Sequence, residues 1–126
     1  MAGKDSVREW LEARGCPEHL VKGGLAGLVA GWERTVGSVV RGYGLGMEDY
    51  LNDMDGRQLL HEAMAVASAS VRGRYLQRVR AADRRIKARL LPPGKCLWGA
   101  REARARGWTA EINWWYFQLP REGVRS

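Results

Sequence analysis

Asp49, Asp53, Asp55, His61 and Glu62 crowd into one short stretch of the chain. Carboxylates beside a histidine are the material of general acid–base chemistry, provided a cleft gathers them and pushes their pKa values apart. They support one reading of the chain, a small enzyme with an acidic site over Asp49–Glu62. Nothing else in the sequence joins them: there is no nucleophile motif, no cofactor fingerprint and no phosphate-cradling loop. Gly42-Tyr-Gly-Leu-Gly46 is rich in glycine, but it follows a helical pattern and lacks the lysine of a phosphate loop. The sequence therefore favours binding over catalysis, and no cofactor is expected.

The metal readings fail on spacing. With Gly56 at the sixth position of a calcium loop, Asp53 and Asp55 take the third and fifth and Glu62 the twelfth. The first position is then Leu51, which offers no oxygen, so Asp53 and Asp55 are read as caps of a following helix. His61-Glu62 begins like a zinc-protease motif, yet Ala65 stands where its second histidine belongs. Cys16, His19, His61 and Cys96 match no zinc-finger spacing, and two cysteines make no disulfide framework. No metal site is expected.

Charge is the stronger signal. Residues 1–70 hold 7 basic and 10 acidic side chains, residues 71–126 hold 14 and 4, and the sum is +7. Val71–Leu90 carries Arg72, Arg74, Arg78, Arg80, Arg84, Arg85, Lys87 and Arg89 with Asp83 as its sole acid. At about 100° per residue these cations flank an apolar stripe of Tyr75, Val79, Ala82, Ile86 and Leu90. Such a polar arc suits phosphate contact. The acids from Glu48 to Glu62 lie just upstream. If the third and fourth helices pack antiparallel, those acids face the arginines and neutralise much of the field.

Aromatic residues gather further on. Trp98, Trp108, Trp114, Trp115, Tyr116 and Phe117 are interleaved with Arg101, Arg104, Arg106 and Arg121. Tryptophan and arginine anchor protein interfaces, and aromatic rings stack on single-stranded bases. At least three of these rings are expected to close the core instead. Adjacent Trp114 and Trp115 cannot point the same way, so one of them is the candidate for a surface contact.

The elements that position these residues read as helices. Ser6 and Glu9 have capping-box spacing for a first helix that Gly15 stops. Pro17 opens a second, of about six turns, along Val21, Leu25, Leu28, Trp32, Val36, Val39 and Tyr43. Gly23, Gly27 and Gly31 give it a small-residue side expected to pack against another backbone, which marks it as the central helix. After the glycines at 42–46, Met47–Asn52 reads as a short helix or turn. Asp55 and Gln58 cap a third helix, and Ser68-Ala-Ser70 allows either a bend or continuity. The fourth helix, Val71–Leu90, ends at Pro92-Pro93-Gly94.

Together these readings predict an all-α fold, a compact single-domain bundle over residues 1–126. Four main helices are closed by a Trp-rich segment at 95–126, a short helix or small extended hairpin. The longest uncharged run among the first helices, Gly23–Trp32, is too short to cross a bilayer, and the start shows no secretory pattern. A soluble, cytoplasmic protein is expected, with no membrane partner. The partner expected first is another protein, then nucleic acid, and self-association is compatible with the sequence. The residues expected to bind are Arg74, Arg78, Arg85, Arg89, Arg101, Arg104, Trp114 and Trp115.

Overall fold

A computed structural model describes residues 5–125. The chain runs through α1 (Ser6–Ala13), α2 (Glu18–Val40), β1 (Tyr43–Gly46), α3 (Met47–Val66), α4 (Ala69–Lys87) and α5 (Ala100–Arg106). A 3₁₀ turn at Trp114–Tyr116 and β2 (Gly123–Arg125) complete it. The fold is all-α with a small C-terminal element, as the periodicity predicts. Helix α2 is central: α1, α3 and α4 all pack against it.

Local chemistry accounts for most helix ends. Asp5, not Ser6, caps α1, its Oδ1 accepting from the Val7 and Arg8 amides at 3.1 Å each. Ser68 caps α4 by accepting from the Val71 amide, and Ala67 is extended there, so a bend separates α3 from α4. Arg72 reaches back over this corner. Its Nε donates to the Met64 carbonyl at 2.7 Å and its guanidinium to that of Ala67 at 2.8 Å, satisfying two carbonyls at the end of α3. Gly107, at φ +72°, stops α5.

Three expectations require correction. Helix α2 is not continuous: Gly24 adopts φ +59° and ψ −154°, and the helix kinks there over the Arg8 side chain. The small-residue side does not meet another backbone. A Cβ at Gly23 or Gly27 would touch nothing within 4 Å, and Gly27 and Gly31 instead line an open groove beside α3. The third helix does not begin at Asp55. It begins at Met47 and runs through Asp55 and Gly56, so neither Asp53 nor Asp55 is a cap. Tertiary partners claim both carboxylates, as described below.

The C-terminal segment closes the core by two strand-like contacts. Backbone bonds from Leu91 to Leu119, Gly94 to Phe117 and Leu97 to Tyr116 lay the loop after α4 antiparallel to the chain beyond the 3₁₀ turn. Strand β2 then pairs in parallel with β1, which forms within the stretch read from sequence as a glycine break. Gly123, at φ +91°, packs against the Tyr43 backbone so closely that no side chain fits. Trp32, Val36, Tyr50, Met54, Leu60, Val79, Ile86, Trp114, Trp115 and Tyr116 share one buried cluster. Among the described residues no helix is long and apolar enough to cross a membrane.

Candidate functional site

Helix α4 presents a basic outer face because its lone acid turns inward. Asp83 Oδ1 accepts from Trp32 Nε1 at 2.9 Å and from Arg57 Nε at 3.2 Å, while Oδ2 accepts from the Arg57 guanidinium at 2.9 Å. Arg57, on α3, is 7 % exposed, with its guanidinium carbon 4.3 Å from the Trp115 ring centroid. A guanidinium so buried must be paired, and the bidentate Asp83 supplies both charge and acceptors.

Two more α4 cations are drawn into the fold. Arg78 makes a two-pronged ion pair with Glu33 of α2, and that bond holds the Glu33 carboxyl below its usual range. Lys87 places its ammonium 4.4 Å from the Trp114 ring centroid. Arg74, Arg80, Arg84, Arg85 and Arg89 are exposed and make no ion pair among the described residues. Arg80 and Arg84 lie opposite the buried stripe of Val79, Ala82 and Ile86, with Arg74 and Arg85 beside them. From Arg74 to Arg85 the helix rises about 16 Å.

The expected neutralisation by the acidic stretch is not found. Glu48 and Asp49 are exposed, Asp53 accepts from the Tyr43 hydroxyl at 2.6 Å, and Glu62 pairs with Arg14 at 3.0 Å. Asp55 Oδ1 accepts from Trp98 Nε1 at 3.0 Å and from the Tyr116 hydroxyl at 2.6 Å. The acids of α3 thus serve aromatic donors and the α1 terminus. The ion pair between α3 and α4 has the reverse polarity, with the cation on α3.

The remaining expected residues divide by burial. Arg101 and Arg104 are exposed on α5. Trp114 and Trp115 are both buried, at 8 % and 1 %, so neither offers a surface ring. The 3₁₀ turn lets adjacent rings lie in one core, edge to face at 5.5 Å, where a strand or a regular helix separates them. Trp98 is the exposed tryptophan of this segment, at 44 %. In the sequence it has no distinguishing pattern beyond an isolated ring between Pro93-Gly94 and Gly99.

Two concavities flank α3. The groove between α2 and α3 holds about 460 Å³ and includes Tyr43 and Asp53. A larger cleft of about 830 Å³ lies where α3, the end of α1 and the segment around α5 converge. Its walls include Trp98, the Trp108 ring stacked on Tyr116 at 4.1 Å, and exposed Ile112, with Asp55, His61 and Glu62 among its polar groups. Asp53 and His61 therefore line different cavities, while Asp55, His61 and Glu62 share the larger one and Asp49 lies outside both. Partial desolvation, and then the nearby charge of Arg57, holds the pKa of the exposed His61 below its ordinary value. Among the described residues no three His, Cys, Asp or Glu side chains converge as metal ligands. Both cysteines are free thiols.

No family model, curated protein or solved structure matches this chain.

Proposed function

We propose that this protein binds nucleic acid through the outer face of α4, with Arg74, Arg80, Arg84 and Arg85, and Arg89 just beyond the end of the helix, contacting phosphates. One observation carries the reading: the single acid of the helix is spent on Trp32 and Arg57, so every charge left on the exposed arc is positive. A surface helix that serves only solvation mixes acids with bases, and this one does not. Arg84, Arg85 and Lys87 also suit the negative end of the helix dipole, but Arg74 and Arg80 lie too far upstream for that. The alternative of a protein-binding surface built on Trp114 and Trp115 loses its anchors, since both rings belong to the core.

Gel retardation of a generic duplex and of a single strand tests the proposal. Binding at low salt should weaken steeply as salt rises, with log–log slope near −0.9 per phosphate neutralised. Replacing Arg80, Arg84 and Arg85 together by Gln should reduce that slope by about 1 per residue without changing the melting temperature appreciably. Absence of retardation at low salt overturns the reading.

A further inference from the structure

The core and the large cleft contain the same arrangement, complete in one and open in the other. In the core, Trp32 Nε1 donates to the Asp83 carboxylate, Arg57 occupies the remaining acceptors, and its guanidinium lies over the Trp115 ring. In the cleft, Trp98 Nε1 donates to the Asp55 carboxylate, and the Tyr116 hydroxyl donates to the same oxygen, Oδ1. Asp55 Oδ2 makes no hydrogen bond, and Asp55 has no ion-pair partner among the described residues. Beside it stand the exposed ring of Trp98 and the stacked pair of Trp108 and Tyr116.

The two guanidinium groups at the cleft do not fill this position. Arg14 is held by Glu62 at 3.0 Å and Arg106 by Glu102 at 2.8 Å. With Asp55, Glu62 and Glu102 against Arg14 and Arg106, the cleft carries one more negative than positive group on a chain of net charge +7. An anion is therefore disfavoured here, and a cation with a flat face is favoured.

We infer that the Trp98–Asp55 cleft binds a guanidinium group, the arginine side chain of a polypeptide partner, by ion pairing at Asp55 Oδ2 and stacking on the Trp98 ring. Two donors fix the carboxylate beforehand, so little ordering is required on binding. The planar guanidinium stacks where a compact ammonium does not, which sets arginine above lysine. This site is independent of the α4 arginine face and stands whether or not that face binds nucleic acid.

The test uses the full chain and four probes: a blocked Gly-Arg-Gly peptide, its citrulline and lysine counterparts, and agmatine. Binding is read by calorimetry and by the indole Nε1–H resonance of Trp98, assigned with Trp98→Phe. The arginine peptide should shift that resonance and bind at least about tenfold more tightly than the neutral citrulline peptide, with lysine weaker than arginine. Asp55→Asn keeps an oxygen to accept from Trp98 and Tyr116 while removing the charge. It should lower arginine affinity about tenfold or more with the melting temperature retained. Trp98→Ala should weaken binding as well. A preference for the arginine peptide over agmatine identifies a polypeptide as the source, and the reverse preference identifies a free guanidine, in either case through the same chemistry. Equal binding of arginine and citrulline peptides, unchanged affinity in Asp55→Asn, or no resonance shift overturns the inference.

Discussion

Asp83 and Asp55 each receive a tryptophan indole N–H, yet one belongs to the interior and the other to a cleft open to solvent. Around Asp83 the chain supplies its own cation, and the result is a sealed junction joining α2, α3 and α4 through Trp32, Arg57 and Asp83. Around Asp55 the donors are Trp98 and Tyr116, both neutral, and one carboxylate oxygen stays open. The difference lies in what each carboxylate does for the fold. A buried carboxylate without its cation is costly, whereas one at a wet surface persists alone at little expense. The first arrangement holds the bundle together, and the second leaves a charge in place for something else.

The sharpest way to break the comparison is to remove the carboxylate at each site. Asp83→Ala strands the Arg57 guanidinium in the core, and roughly 3–5 kcal/mol of stability should be lost in denaturant titration. Asp55→Asn should cost less than about 1 kcal/mol. Comparable losses would mean that the cleft is as structural as the core. The rings offer a second contrast. Trp115→Ala empties the cover of Arg57 and should cost about 3–5 kcal/mol, while Trp98→Ala, at an exposed position, should change stability by about 1 kcal/mol or less. The smallest expected effect involves His61, whose ring lies 5.4 Å from Trp115 and also lines the cleft. Its folded pKa is depressed, so the unfolded chain takes up the proton first. Stability should be complete above the ordinary histidine pKa of about 6.5 and decline as pH falls below it. The groups facing this histidine are Arg57, which adds to the depression, and Glu62, which opposes it. His61→Gln should flatten that part of the pH–stability curve.

Much of the fold was legible because helical periodicity and stop signals are local. Gly15 stops α1 where its position suggests, and of the two alternatives open at Ser68 the structure takes the bend. The central place of α2 holds, but not through the close glycine packing from which it is read. What escaped was decided at long range. Asp55 and Gln58 have capping-box spacing, but Asp55 is claimed by Trp98 and Tyr116, and the Gln58 side chain bonds Glu62 and Asn113. The α4 arginines were legible as a basic arc, and Asp83 stood out as its one acid. No pattern in the sequence, however, could show that Asp83 points at Trp32 or that Glu33 is the residue paired with Arg78. The kink at Gly24 hid among neighbouring glycines. Trp98 was outweighed by the more conspicuous Trp114–Trp115 pair, which a 3₁₀ turn packs inward.

Arg57 also bears on the order in which the molecule assembles. Helix α3 is complete at Val66, but the carboxylate that neutralises this cation lies on α4 and the ring that covers it lies at residue 115. Strand β2 is further still from its β1 partner along the chain. Helices α1, α2 and α3 can meet through short connections, whereas sealing Arg57 requires the loop from α3 to the 3₁₀ turn to close. During synthesis, the N-terminal helices emerge with a hydrated guanidinium on the face that later becomes the centre of the core. Its dehydration therefore waits on contacts with α4 and the 3₁₀ turn, both of which lie later in the chain.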